Sequence, residues 1–269
     1  MNALSFDMAA AEALFAFWSD AGVDACFGEE PVDRTIFVAP SPSRGPATVT
    51  PLRAPGAAPS ADEAAAEARR LAAGATTLDE LAQAIAAFEG CPLRAMGARQ
   101  AVFARGNPQG SLMVIGEGPG AEEDARGQPF VGQAGQLLDR ILTVAGLLDE
   151  AFITNTVFWK TPGNRTPTPQ EQAACAPLLE RAATLLKPKA VLVVGAAAAR
   201  AVLKTDDGIM RTRGQWREWR LSEGGIAAPA MATLHPAFLL RQPQAKGLVW
   251  KDILDLSARL HAEAVEPGA

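Results

Sequence analysis

The chain has 269 residues, of which 48% are hydrophobic and 20% charged, a composition typical of soluble globular proteins with one large or two small domains. No apolar run approaches the about 20 residues of a membrane span, and the N-terminus lacks a basic region followed by an apolar one; we therefore expect a cytoplasmic protein without membrane contact. The formal net charge of −5 speaks against a uniformly basic nucleic-acid binder but permits a local basic face.

The first third of the chain differs in composition from the rest. Apolar residues between Ala3 and Ala21 recur at helical spacing and predict a helical N-terminal segment over residues 1–37, which would pack on the main body or on a protein partner. Residues 38–75 form a Pro- and Ala-rich linker that we expect to be disordered, although its run 61–73 is compatible with a helix. The predicted compact domain spans residues 76–264, and residues 265–269 form a tail.

Beyond this linker, apolar and helical segments alternate. Thr77, with Glu80 three residues later, predicts a capped helix ending near Phe88. The apolar runs lie at 111–115, 151–158, 190–194 and 230–234, and the helical segments lie at 134–146, 169–186, 196–203 and 247–262. This alternation predicts an α/β fold with a central, mostly parallel four-stranded sheet between two helical layers.

Polar residues follow three of the predicted strands. Glu117 lies in the glycine-rich turn 116–120, the second strand delivers Thr154 and Asn155, and His235 follows the fourth. Open parallel sheets bind ligands outside the carboxyl ends of their strands, so we expect a site there. Phe130, in the loop before the next helix, would either fill a core or offer its face to a planar ligand. A nucleotide-binding domain is an alternative, but G-E-G-P-G is not the G-x-G-x-x-G fingerprint.

Five motifs together resemble family 4 of the uracil-DNA glycosylases. They are G-E-G-P-G at 116–120, G-Q-P-F-V-G-Q-A-G-Q-L-L-D at 127–139, I-T-N at 153–155, P-G-N-R at 162–165 and L-H-P-A at 234–237. The likeness covers about residues 78–260, with the motifs in the family's order and spacing. It implies a uracil-DNA glycosylase-like fold and a monofunctional hydrolase that flips uracil out of DNA, cleaves its N-glycosidic bond and so starts base excision repair.

The resemblance also assigns roles to the site residues. It places uracil binding at Gly118, Phe130, Asn155 and Asn164, and catalysis at Glu117, Glu123 and His235. Phe130 would stack on the flipped base, and the Asn155 amide would read its edge, since an amide both donates and accepts. The two glutamates would orient water or stabilise positive charge on the sugar. His235 would donate to the uracil as negative charge develops on the base.

Basic and apolar residues near this edge are expected to contact DNA. The candidates are Arg99, Lys160, Arg165, Arg213, Leu239 and Arg241. The cations would bind phosphates, and Leu239, with Leu240 and Arg241, would fill the gap that a flipped base leaves. The expected partner is uracil-containing DNA, single- or double-stranded, bound by a monomer in the nucleoid of a bacterium.

Two features depart from the family pattern. Family 4 enzymes commonly hold an iron–sulfur cluster on four cysteines, of which Cys91 and Cys175 are present, whereas Phe88 and Trp159 stand at the other two positions. Because two thiolates are too few for that ligation, we predict no cluster and no metal. Ala237 replaces the usual serine after His-Pro, which predicts weaker base flipping with hydrolysis retained.

Two further alternatives remain at this point. The chain could be a protein that binds damaged or abasic DNA on a glycosylase scaffold with weak or no turnover. A relative of the X-type glycosylases, which trap DNA through a histidine, is disfavoured because no histidine lies between Gly132 and Leu148. The preference between U:G and U:A pairs, and activity on other deaminated bases, are left open by the sequence.

Overall fold

The computed structural model describes residues 60–222 and 224–262. The predicted N-terminal segment 1–37, most of the predicted linker 38–75 and the tail 265–269 lie outside the described residues. Within them, no helix is long and apolar enough to cross a membrane.

The described residues contain six strands in one mixed sheet. They are β1 (Ala104–Gly106), β2 (Leu112–Gly116), β3 (Ala151–Asn155), β4 (Ala190–Val194), β5 (Trp216–Arg220) and β6 (Ile226–Thr233), arranged in the order β1-β3-β2-β4-β6-β5. The inner four are parallel, which confirms the predicted sheet, and the two edge strands are antiparallel additions that the sequence analysis missed. Every residue of β2, β3 and β4 is buried, as expected for strands covered on both faces.

Helices cover both faces and complete the predicted α/β/α layers. The helices of the described part are α1 (Ala61–Gly74), α2 (Leu78–Ala87), α3 (Pro92–Ala95), α4 (Ala121–Arg126), α5 (Gln133–Val144), α6 (Pro169–Leu186), α7 (Ala196–Leu203), α8 (Ile209–Thr212), α9 (Pro236–Arg241) and α10 (Lys246–Ala262). Alternating strand residues separate two cores: Met113 and Ile115 pack with α1, α2, α6 and α7, whereas Leu112 and Val114 pack with α5, α9 and α10.

The last part of the predicted linker is helical and belongs to the folded body. Ser60 caps α1 through a reciprocal capping box with Glu63. Ala64, Ala68 and Ala72, spaced one helical turn apart, are buried, and α1 packs on α6. An alanine-rich stretch that suggested a disordered linker over 38–75 is therefore, from residue 61 onward, a helix whose small side chains permit close packing.

The parallel strands bring their carboxyl ends to one edge of the sheet. Gly116 at the end of β2 pairs in register with Asn155 at the end of β3. β6 ends at Thr233, two residues before His235. Gly195, directly after β4, has φ of +99° and lies so close to His235 that a Cβ there would be 3.1 Å from the histidine Cβ. The fold thus gathers the predicted site residues at this edge.

Candidate active site

A pocket of about 590 Å³ opens at the carboxyl edge of the parallel strands. The predicted site residues that line it are Glu117, Gly118, Glu123, Phe130, Asn164, Arg165, His235 and Arg241. The sequence analysis did not single out Thr161 or Phe238, which also line it. The loops after β2, β3 and β6 therefore meet around one volume, as the parallel arrangement of the strands predicted.

Phe130 forms the base of the pocket and lies in the stacking loop, residues 129–132. Its φ of +55° is in the left-handed region, which is unfavourable for a bulky side chain. A Cβ on Gly116 would lie 2.4 Å from the Phe130 ring, and a Cβ on Gly135 would lie 1.7 Å from the Phe130 carbonyl oxygen. A side chain at position 116 or 135 would thus collide with Phe130, so glycine is required at both positions. The Phe130 ring packs against the end of β2.

Two charged side chains hold the stacking loop. Glu123 Oε1 accepts hydrogen bonds from the Val131 and Gly132 amides, both at 2.9 Å, while its Oε2 accepts from Gly120 N at 3.1 Å. On the carbonyl side, Arg105 Nε donates to Pro129 O at 2.7 Å. Glu123, predicted to be catalytic, lines the pocket, but both its carboxylate oxygens are occupied by main-chain donors. The structure therefore places Glu123 as a support of the stacking loop.

Asn155 lies behind the open volume rather than on its surface. The residue is only 1% exposed, and its Oδ1 is a buried acceptor without a hydrogen-bond partner. A Cβ on Gly116 would be 2.5 Å from this Oδ1, so the amide and the Phe130 ring share the same glycine as neighbour. Buried polar atoms are normally paired, and an unpaired acceptor beside a pocket is therefore suited to receive a donor from a ligand.

His235 is a neutral imidazole with its proton on Nε2. Its Nδ1 accepts a hydrogen bond from Ala237 N at 3.1 Å, so the neutral ring carries its proton on Nε2. Burial and, to a smaller extent, nearby Arg241 lower the pKa of His235 to about 4, while Glu123 opposes the shift. The imidazole plane is 27° from the Phe130 ring, with centroids 5.9 Å apart. The plane of a base stacked parallel to Phe130 would therefore be tilted by about 27° from the plane of the imidazole.

Glu117 reaches the pocket from the turn after β2. Thr156 fixes the main chain here, donating from N to Gly116 O at 2.9 Å and from Oγ1 to Glu117 O at 2.6 Å. The Glu117 side chain is partly exposed, and its carboxylate has no hydrogen-bond partner among the described residues. It is thus available to water or to a substrate.

The outer loop, residues 161–165, forms the opposite wall. It contains a short 3-10 turn at Pro162–Asn164, and Asn164, with φ of +53°, is exposed. Arg165 donates from Nη1 and Nη2 to Glu171 at 2.8 and 2.6 Å, and this pairing lowers the pKa of the Glu171 carboxyl. The guanidinium predicted to bind DNA is therefore already engaged with a buried carboxylate.

Several predicted DNA contacts need correction. Leu239 is fully buried in the core under α9, whereas Phe238 and Leu240 are exposed, because the helix turns the middle residue inward. Arg213 pairs with buried Asp252 on α10 and is largely buried itself. Leu239 and Arg213 are therefore structural residues.

The remaining predicted cations differ in their distance from the pocket. Arg99 and Lys160 do not line it, although Lys160 directly precedes Thr161. Arg241 is exposed and contributes to the pocket wall. Of the predicted cations, Arg241 thus lies best for a contact with bound DNA.

The two cysteines of the described part lie together in the core on the other face of the sheet from Phe130. Cys175 Sγ is 3.8 Å from Cys91 Sγ, and burial raises the pKa of the Cys175 thiol. Phe88 and Trp159 are buried in the same core, with ring centroids 6.1 Å apart. Among the described residues, no group of three or more histidines, cysteines or carboxylates could hold a metal ion.

Comparison with known proteins gives consistent matches. The family model described as the Uracil DNA glycosylase superfamily matches residues 103–254. The chain is 35% identical over 181 residues to the type-4 uracil-DNA glycosylase of Pyrobaculum aerophilum, covering 65% of this chain and 91% of the relative. It is 38% identical over 156 residues to the type-4 uracil-DNA glycosylase of Thermotoga maritima, a match that covers 56% of this chain and 77% of the relative. It is 34% identical over 158 residues to the type-4 uracil-DNA glycosylase of Sulfurisphaera tokodaii, a match that covers 56% of this chain and 71% of the relative.

These relatives contradict one prediction. Type-4 uracil-DNA glycosylases are a group that normally carries an iron–sulfur cluster, so the prediction that this chain has none is wrong. The residues that would hold such a group are Cys91 and Cys175. They supply two thiols, and no third ligand joins them within the described ranges, whereas the usual ligation takes four cysteines.

Proposed function

The chain belongs to the uracil DNA glycosylase superfamily, and from that premise we propose that it excises uracil from DNA by hydrolysing the N-glycosidic bond, which leaves an abasic site. Water adds to the sugar carbon C1′, the bond from C1′ to the base nitrogen N1 breaks, and uracil leaves with the bonding electron pair. The proton that the water loses ends on the uracil anion. The observation that carries the proposal is the buried, unpaired Oδ1 of Asn155 beside the ring of Phe130.

This acceptor fits the hydrogen-bonding edge of uracil. The N3–H of uracil can donate to Asn155 Oδ1, while the amide nitrogen can donate to the neighbouring O4. Cytosine has an unprotonated N3 and an amino group at these positions, so it would leave Oδ1 facing a lone pair. A buried polar atom that loses its partner costs about 1–3 kcal/mol, which supports selection of uracil over cytosine.

Phe130 offers the surface on which the flipped base stacks. Removing a base from a duplex costs a few kcal/mol, and stacking on an aromatic ring offsets part of that cost. Because the stacking loop is already held by Glu123 and Arg105, the ring does not need to be ordered when the base arrives. A pre-ordered stacking surface supports binding of the extrahelical base.

His235 and Glu117 act on opposite ends of the breaking bond. As the bond breaks, negative charge develops on the uracil oxygens and positive charge on the sugar. The neutral imidazole, with its proton on Nε2, donates to the base oxygen, which stabilises the uracil anion. The Glu117 carboxylate orients the attacking water and stabilises the positive sugar.

The reaction proceeds without a covalent enzyme intermediate. An enzyme that also cleaves the strand at the abasic site uses an amine to attack the sugar. No lysine lines the pocket in the described part of the chain, which supports water as the nucleophile. The product is therefore an intact strand with one abasic site.

The exposed residues of α9 make the closest contacts with the DNA. Phe238 and Leu240, in place of buried Leu239, fill the space that the flipped base leaves, and Arg241 binds a neighbouring phosphate. One copy of the chain builds the whole pocket, so a monomer suffices, and the substrate places the enzyme at the nucleoid. The catalytic domain includes α1, because that helix packs on α6.

The test is a cleavage assay on labelled oligonucleotides that carry one uracil, either single-stranded or opposite guanine. Wild type should release uracil, and the strand should break only after alkali. Matched oligonucleotides with cytosine should stay intact. Asn155→Ala should lower the single-turnover rate by about 100-fold or more, and His235→Ala by a similar factor.

Two results would contradict the proposal. Wild type that shifts uracil-containing or abasic DNA in a binding gel without releasing base would be a damage-binding protein. Strand breakage before alkali would exclude the monofunctional reaction.

A further inference from the structure

Arg105 lies outside the pocket, but its guanidinium contacts the loop that carries Phe130. Its Nε donates to Pro129 O at 2.7 Å, and its Nη2 donates to Phe130 O at 3.1 Å and to Asp139 Oδ1 at 2.6 Å. The Arg105 side chain is 17% exposed, so water competes little for these contacts. One guanidinium thus joins the stacking loop to helix α5.

The stacking loop requires such a partner. Phe130 has a left-handed backbone that a phenylalanine does not adopt without restraint. Glu123 binds the amides that follow Phe130, and Arg105 binds the carbonyls of Pro129 and Phe130 itself. The Glu123 carboxylate therefore accepts from the main-chain amides of the loop, and the Arg105 guanidinium donates to its main-chain carbonyls. The backbone before and after the Phe130 side chain is fixed in this way.

Arg105 also connects this loop to the strand that ends in Asn155. It lies in β1, which pairs antiparallel with β3, and Arg105 is opposite Ile153, two residues before Asn155. The neighbouring pair is Ala104 with Thr154, whose Oγ1 donates to Phe103 O at 2.7 Å. The main chain that presents Asn155 and the side chain that orients Phe130 thus meet at one short edge strand.

We propose that Arg105 is a positioning residue for uracil recognition, which fixes the Phe130 ring relative to the Asn155 amide. Asp139 holds the guanidinium in place by its ion pair. The inference rests on the proposed function, because it concerns the same pocket. It differs from a DNA-contact role for this arginine, since the guanidinium is engaged with protein groups and lies away from the pocket wall.

The first test is Arg105→Met, which keeps much of the side-chain volume and removes all donors. The single-turnover rate at subsaturating enzyme on a single-stranded uracil oligonucleotide should fall between about 10- and 100-fold, because a displacement near 1 Å has effects of this size. Arg105→Lys should recover part of the loss. If Arg105 acts through Phe130, adding Arg105→Met to Phe130→Ala should cause little further loss.

The matched control is Arg94→Met. Arg94 also donates to main-chain carbonyls, those of Ala86, Ala87 and Phe88, but it holds the end of α2, remote from the pocket. This variant should lose thermal stability and keep the wild-type rate. Should Arg105→Met fail to fold, Asp139→Asn removes the anchoring carboxylate and should give a smaller loss of rate.

A binding measurement separates this inference from the proposed function. The probe is a strand with a non-cleavable 2′-fluoro-deoxyuridine beside 2-aminopurine, whose fluorescence rises when the base leaves the stack. Folded Arg105→Met with a wild-type rate and signal would overturn the inference, as would a full additional loss in the Phe130→Ala background. Wild type that gives the fluorescence change with this probe but does not cleave the uracil oligonucleotide would instead overturn the proposed hydrolysis, while a reduced signal in Arg105→Met would still support the role of Arg105.

Discussion

The two sides of the pocket are built differently. The stacking loop is buried or half-buried, carries Phe130 in an unfavourable backbone conformation and is held by charge-assisted hydrogen bonds in which Glu123 accepts and Arg105 donates. The outer loop is largely exposed and is attached mainly through the contact of Arg165 with Glu171. Rigidity is thus concentrated where the base would be read, and the wall that a DNA strand would approach is left adjustable.

The largest effect is expected from Gly135→Ala, which tests the rigid side. A Cβ here would lie 1.7 Å from Phe130 O, so the stacking loop must move despite the better helix propensity of alanine. We expect a rate loss of about 100-fold and a loss of about 2–3 kcal/mol in the free energy of unfolding. Single-turnover cleavage and urea unfolding measure the two quantities, and a near-normal rate would show that the loop is not rigid.

The second-largest effect is a dependence of the free energy of unfolding on pH, and it also concerns the buried side of the pocket. The His235 pKa of about 4 lies below the ordinary value of 6.5, so between these pH values the unfolded chain binds a proton that the folded chain does not. The free energy of unfolding should therefore fall as pH decreases from 6.5 to 4, by about 3 kcal/mol from this group. Urea unfolding of wild type and His235→Asn over this range should show a smaller decrease in the variant, and equal slopes would contradict the assigned shift.

Glu171→Gln tests how the outer loop is attached. The change removes the charge from the bidentate pair with Arg165, whose side chain is 39% exposed and can be rehydrated. We expect a loss of about 1–2 kcal/mol in unfolding free energy, KM raised by about tenfold or less, and kcat unchanged. Glu180→Gln on the same helix, which loses a surface contact with Ser222, is the control and should leave KM unchanged. A drop in kcat instead would mean that the outer loop shapes the reacting geometry.

The smallest effect is expected from Gly163→Ala in the outer loop. Gly163 has φ of +61°, but a Cβ there would meet no atom within 4 Å. The substitution should therefore cost about 1 kcal/mol of backbone strain and change the cleavage rate by less than about twofold. A large loss of rate would contradict the difference in rigidity between the two loops.

The sequence predicted those parts of the fold that carry their own pattern. The strands β2 and β4 are continuous apolar runs, β3 begins with three apolar residues, and α6 has a cap, a long periodic face and clear ends. The edge strands β1 and β5 lack such a pattern, because they are short, partly exposed and charged. The helix α1 was included in the linker because its buried face consists of alanines.

The same distinction between features with and without a local sequence pattern applies to the site residues. Glu117, Phe130 and His235 were found because parallel strands bring their carboxyl ends together, and the motifs support the same residues. The orientation of α9 could not be read from six residues, so buried Leu239 was predicted together with exposed Leu240, and exposed Phe238 was missed. Arg213 pairs with Asp252, which lies 39 positions later in the chain, and only the tertiary structure reveals this contact. Local patterns thus indicate which residues matter, whereas packing decides which way they face.

The edge strands have a consequence for how copies of the protein behave together. An open sheet can recruit a strand from another molecule wherever its outermost backbone groups are free and flat. Here one outer strand, β1, has three residues, and the other, β5, carries Arg217, Glu218 and Arg220 and is irregular at Trp219 and Arg220. The short length of β1 and the charges and irregularity of β5 oppose the pairing of these edges with another molecule. They therefore disfavour aggregation through extended sheets.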